Sequence, residues 1–157
     1  MKKLTIIVLL LGLLAGCEEK ETDNSLKVFD LKLSGCKQNS EKNLATNERA
    51  YMIIQGSADG YLYVQHINAI FNCCAETVNV KATLTQNNIQ LLERETSSNC
   101  NCICPYDLSC KIGPLLSQKY TFSFSENDNE QTHFSFYYSP TLLDTEFPAA
   151  GLSMRKI

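Results

Sequence analysis

Polar and apolar residues alternate along most of this chain. In TVNVKATLT, Val78, Val80, Ala82 and Leu84 fall on one side of an extended segment, with Thr77, Asn79, Lys81 and Thr83 on the other. That is the pattern of a strand with one buried face. Asn87-Asn88 follows, and asparagine tolerates the positive φ of a two-residue hairpin turn. A turn there predicts Leu84 opposite Leu91. Nearer the C-terminus, Tyr120, Phe122 and Phe124 alternate with Thr121 and Ser123, and Phe134, Phe136 and Tyr138 alternate with His133, Ser135 and Tyr137. A hairpin folded about Asn129 predicts the pairs Phe124–Phe134, Phe122–Phe136 and Tyr120–Tyr138, each contributing up to about 1 kcal/mol. The SENDNE segment between them reads as a solvated tip, because its acids lack the alternate-position ligands and glycine of an EF-hand.

The same period marks strands at Leu26–Leu33, Arg49–Gln55, Gly60–Asn72, Asn88–Glu95 and Asp107–Gly113. Within GYLYVQHINAIFN the phase changes: Leu62 and Val64 share one parity, and Ile67, Ala69 and Phe71 share the other. A bulge near Gln65 or His66 reconciles the two. Long amphipathic helical patterns are absent from the sequence. Seven or eight short strands separated by turn residues predict an all-β fold, an immunoglobulin-like antiparallel β-sandwich over residues 26–139. Gly113-Pro114-Leu115-Leu116 followed by Tyr120 resembles a tyrosine corner, in which the tyrosine hydroxyl bonds to upstream backbone. Residues 140–157 show no periodicity and read as an extended C-terminal tail.

The N-terminus, MKKLTIIVLLLGLLAGC, changes the picture. Two lysines precede an apolar run too short for a permanent membrane span, as in a secretory signal. Leu14-Ala15-Gly16-Cys17 resembles the lipobox of bacterial lipoproteins, which implies a signal peptide over residues 1–16 and lipidation at Cys17. Each buried methylene of such acyl chains contributes about 0.8 kcal/mol, so two or three chains, palmitate among them, make a lasting anchor. Residues 17–25, EEKETDNS after the cysteine, are polar and charged and predict a flexible tether. Glu18 directly after Cys17 points away from inner-membrane retention, and the acidic run resembles a surface-export signal of Bacteroidota lipoproteins. The expected location is the cell envelope, at the outer membrane and open to the surface.

Removing 16 of 157 residues leaves 141, one domain's worth, and moves the net charge from −3 to −5 by loss of Lys2 and Lys3. Neither value suggests a nucleic-acid partner, which would need a clustered basic surface.

Seven cysteines remain after Cys17: Cys36, Cys73, Cys74, Cys100, Cys102, Cys104 and Cys110. In an oxidising compartment they read as disulfide partners, with an odd one left over. In extended chain Cys100, Cys102 and Cys104 point to one side, Cys73 and Cys74 to opposite sides, and Pro105 ends regular pairing. One or both of Cys73 and Cys74 are expected to bond into the CNCIC run, with Cys36–Cys110 as a further pair. Zinc is the alternative, since thiolates favour it, but spacers of zero and one residue are not those of structural zinc sites, and neither His66 nor His133 adjoins a cysteine. The two-residue spacing of redox motifs is missing as well.

FNCCAETVNV, an alternating hairpin, then CNCICPYDLSCKIGPL and Tyr-x-Phe resemble a group of small, uncharacterised Bacteroidota lipoproteins sharing an N-C-C element and a C-x-C-x-C-x-Y-D-L run. The resemblance covers residues 67–124 and implies an envelope β-domain without implying an activity. In that group the position of Cys110 is more often aromatic, which makes a Cys36–Cys110 bridge particular to this chain.

No G-x-S-x-G, P-loop, dinucleotide fingerprint or H-E-x-x-H occurs. Asp107 reads as a turn-capping carboxylate. Tyr61, Tyr63 and Tyr137 are the candidate aromatic contact patch, set against ordinary strand packing. The expectation is a non-enzymatic, cofactor-free, lipid-anchored module that meets the membrane and an envelope protein or glycan. The alternative is an envelope thiol or zinc-binding protein, with an envelope hydrolase behind both.

Overall fold

The computed structural model describes residues 24–37, 49–96 and 100–149, so the signal segment and Cys17 lie outside the described residues. These residues form nine strands and no helix: β1 Ser25–Leu33, β2 Tyr51–Gly56, β3 Leu62–Asn72, β4 Val78–Thr85, β5 Asn88–Glu95, β6 Ile103–Gly113, β7 Lys119–Glu126, β8 Asn129–Tyr137 and β9 Thr145–Pro148. The hydrogen-bonded order is β8-β7-β5-β4-β1-β6-β3-β2-β9. β1 joins two halves, with Ser25 and Leu26 pairing with β4 and Lys27 to Leu33 pairing with β6. The halves lie face to face. His66 of β3 meets Phe124 of β7 edge-on at 4.8 Å, and at the far edges Phe134 of β8 stacks on Phe147 of β9 at 3.6 Å. The fold is an all-β sandwich.

It departs from an all-antiparallel immunoglobulin-like order in one place, the parallel pairing of β5 with β7. The expected tail holds a ninth strand: Thr145 to Pro148 pair with Ile54 to Tyr51. A four-residue strand carries too little alternation to be read in sequence. Ser25, assigned to the tether, already pairs with Thr83.

Both hairpins turn one residue earlier than expected. Gln86, not Asn88, takes the positive φ of 57°, so Leu84 faces Ile89 and Ala82 faces Leu91. In the second hairpin Asn127 and Asp128 take φ of 48° and 65°, and the pairs become Phe122–Phe134 and Tyr120–Phe136, with a bulge after Phe124. Moving a two-residue turn by one position shifts partners by two. The inward face of each strand is therefore preserved, and register is the part alternation cannot choose.

The β3 bulge falls between His66 and Ala69, past the expected Gln65 or His66, with Asn68 at φ 59°. β6 runs through Pro105, which lies opposite Ile70. Its carbonyl accepts the Lys37 amide, so its missing N–H faces the irregular Ser34–Lys37 segment rather than β3, where a proline costs no ladder bond.

The core has two parts. Met52, Ile54, Leu62, Val64, Ile89, Leu91, Phe122 and Phe124 lead the larger one. Ala69, Phe71, Val78, Cys104, Tyr106 and Leu108 form the smaller one at the cysteine end. Tyr120, almost fully buried, accepts the Leu116 amide through Oη at 3.1 Å, the contact expected of a tyrosine corner.

Candidate functional site

The cysteine end is built around Asn72, the last residue of β3. Its Oδ1 accepts the Cys74 amide at 2.9 Å and its carbonyl accepts the Ala75 amide at 2.9 Å, which closes a turn over Cys73-Cys74. Its Nδ2 donates to the Cys100 carbonyl at 2.6 Å, and Tyr106 Oη donates to the Asn72 carbonyl at 3.0 Å. In a turn the two cysteines no longer point to opposite sides, and both bond into the run: Cys73 to Cys102 and Cys74 to Cys100. The third bridge is Cys36–Cys104.

The expected Cys36–Cys110 pair is therefore not formed. Cys110 is a free thiol, fully buried in the larger core. Cys36 sits just past β1, beside the Cys104 end of β6, whereas Cys110 lies six residues along that strand, beyond its reach. Burial, with the Glu93 charge second, pushes the Cys110 thiol up to about 12, so it stays protonated.

Asp107 caps a bulge rather than a turn. Its Oδ1 accepts the Asn68 amide at 3.1 Å and the Lys37 ammonium at 2.5 Å, while Lys37 also reaches Asn68 Oδ1 at 2.8 Å. The Asp107 amide donates to Ser34 Oγ at 2.8 Å. The carboxylate thus satisfies the N–H that the β3 bulge frees from the ladder, and Lys37 balances its charge. Asn, both vicinal cysteines, the three run cysteines, Tyr106 and Asp107 all hold the same end of the sandwich together.

Between the two core clusters lies a polar layer that sequence reasoning missed. His66 Nδ1 and Glu93 Oε2 are 2.8 Å apart, with the two side chains at 1% and 0% exposure. His66 Nε2 and Glu93 Oε1 have no hydrogen-bond partner among the described residues. Glu126 stands nearby. Burial raises its carboxyl to about 7, His66 opposes the rise, Glu93 and Glu95 reinforce it, and the Ile70 amide lowers it by hydrogen bonding. Glu95 Oε2 accepts the Asn72 amide at 2.5 Å. β3 outruns β2 after Ile67, and carboxylates reaching across from β5 and β7 cap the freed β3 amides. The signal for this layer was parity. Glu93 follows Ile89 and Leu91 on the inward face of β5, and His66 follows Leu62 and Val64 on that of β3.

The three candidate tyrosines are not brought together. Tyr61 packs edge-on against Phe29 at 4.6 Å, and Tyr63 Oη accepts from Gln65 Nε2 at 2.9 Å on the outer face of the β6-β3-β2 half. Tyr137 is 62% exposed on β8, in the other half. Strand packing accounts for Tyr61 and Tyr63. A shallow depression of about 310 Å³ lies on the same outer face, where Lys32, Gln65, Asp107 and Ser109 offer polar groups.

Among the described residues, Cys73, Cys74 and Cys102 bring their Sγ atoms within 4.8 Å of one another. No helix of the described residues is long and apolar enough to cross a membrane. No protein-family model, curated protein or solved structure matches the chain.

Proposed function

We propose that this protein is a lipid-anchored, disulfide-stabilised module of the cell envelope that binds a protein or glycan partner there. The observation that carries the reading is the gathering of three disulfides at one end of the sandwich. Bridges of this kind persist outside the reducing cytosol, which agrees with the signal and lipobox-like residues that end at Cys17. Acyl chains on Cys17, followed by a polar tether, would hold the domain at the membrane while leaving its faces free.

The test is fractionation of cells producing the full chain beside Cys17→Ala. Membrane retention, with an acyl mass on the N-terminal peptide, is expected for the first, and release or failed processing for the second. Equal membrane association of both, with no acyl mass, removes the anchor from the account. Cross-linking from the intact envelope then identifies the partner class.

A second reading, zinc held by thiolates, has one observation in its favour, the close approach of Cys73, Cys74 and Cys102. Their sulfurs are engaged in bridges, so zinc would require those bridges to open. Metal analysis of the protein purified without reductant separates the two readings: stoichiometric zinc with free thiols favours the second.

A further inference from the structure

As staples, the two outer bridges are nearly redundant. Cys73–Cys102 spans 29 residues, and Cys74–Cys100, spanning 26, is nested directly inside it. Once the outer loop is closed, the inner bridge removes little further chain entropy. What the inner bridge adds is chemical. Cys74 and Cys102 are exposed, Cys73 is half-buried, and the sulfurs of these three, drawn from two different bridges, lie within 4.8 Å.

We propose that the two outer disulfides form a thiol–disulfide exchange centre, which accepts a thiolate at Cys74–Cys100 and passes the displaced sulfur on to Cys102. The incoming thiolate, from a small thiol or a cysteine of an exported peptide, attacks Cys100 Sγ. The Cys74–Cys100 bond breaks, its electron pair leaves on Cys74 Sγ, and Cys100 is left in a mixed disulfide. The Cys74 thiolate then attacks Cys102 Sγ. A Cys74–Cys102 bond forms, and Cys73 leaves as a thiolate that takes a proton from solvent. One thiolate enters and one is released, so no external oxidant or reductant is needed.

Geometry directs the second step. Adjacent residues hold their Cα atoms about 3.8 Å apart, below the span disulfides take, so Cys74 bonds across to Cys102 and not to Cys73. From within 4.8 Å, the approach to a reacting distance of about 3.5 Å needs only a side-chain rotation in the turn. Cys104 is buried in the third bridge, and Cys110 is a protonated core thiol, so neither takes part. The exchange needs only the folded, oxidised protein and does not depend on the membrane anchor.

Cys100→Ser in the full, oxidised chain leaves Cys74 as a free thiol facing Cys73–Cys102. After incubation at about pH 8 for hours, the timescale of uncatalysed disulfide rearrangement, acid quenching and alkylation precede fragmentation mass spectrometry. The label is expected on both Cys73 and Cys74, in shares within about tenfold of each other, since the two bridges differ by less than about 1.4 kcal/mol on this account. Label confined to Cys74 overturns the proposal. Should Cys100→Ser misfold, the unsubstituted protein treated with glutathione serves instead. A glutathione adduct on Cys100 with Cys73 alkylated supports the relay; the same adduct with only Cys74 alkylated, or no adduct at all, refutes it.

Discussion

The backbone amide of Asn68 donates to the carboxylate of Asp107 at 3.1 Å, across the point where β3 carries one residue more than its partner β6. This bond ties the YDL part of the cysteine motif to the phase change of β3. Without it the Asn68 N–H would be a buried, unpaired donor.

Asp107→Ala is therefore expected to lower unfolding free energy by about 1–3 kcal/mol, because it orphans the Asn68 amide and leaves the Lys37 ammonium with Asn68 Oδ1 and solvent alone. Urea denaturation measures this. Lys37→Ala should cost less, since the amide bond survives.

The His66–Glu93 pair makes a sharper prediction. Glu93→Leu or His66→Leu alone should destabilise by about 3–5 kcal/mol, each leaving a fully buried polar partner uncompensated. The double change to leucine should recover much of that loss, since both polar atoms already without partners are removed as well. A cycle of four denaturation curves tests the recovery. A double variant worse than either single one would count against the pair as the source of the cost.

Glu126 sets a pH dependence. Burial lifts its carboxyl from 4.5 to about 7 in the fold. Its contribution to stability is fully present below about pH 4.5 and is lost as pH rises through about 7. The span corresponds to about 3 kcal/mol. Glu126→Gln should flatten this part of the profile relative to the unsubstituted protein, as read by thermal unfolding across that range.

The bridges should differ in weight. Removing Cys36–Cys104, which spans 68 residues, is expected to cost about 2–5 kcal/mol. Removing Cys74–Cys100 with serine pairs should cost under about 1 kcal/mol, because Cys73–Cys102 still closes nearly the same loop. Paired serine variants compared in urea without reductant give both numbers.

Tyr120→Phe deletes the hydroxyl that accepts the Leu116 amide and should cost about 1 kcal/mol with little change in core packing.

Alternation by itself determined the all-β class and most strand positions, because period two reports which side of a strand meets the core; it erred in β3 at Ile67, expected inward with Ala69 and Phe71, which stays on the outer face with Gln65 because the bulge falls after it. The Gly113-Pro114-Leu115-Leu116 segment ahead of Tyr120 marked the tyrosine corner. Alternation left open whatever depends on partners remote in sequence. The parallel β5–β7 pairing, the ninth strand and the choice of Cys104 for Cys36 follow from which strands become neighbours. The hairpin registers follow from a turn position that can move by one residue while keeping every face. The buried His66–Glu93 layer arises because two polar residues, each on the inward parity of its own strand, meet when the two halves close on each other. Local pattern decides which way a residue points; only tertiary packing decides what it meets.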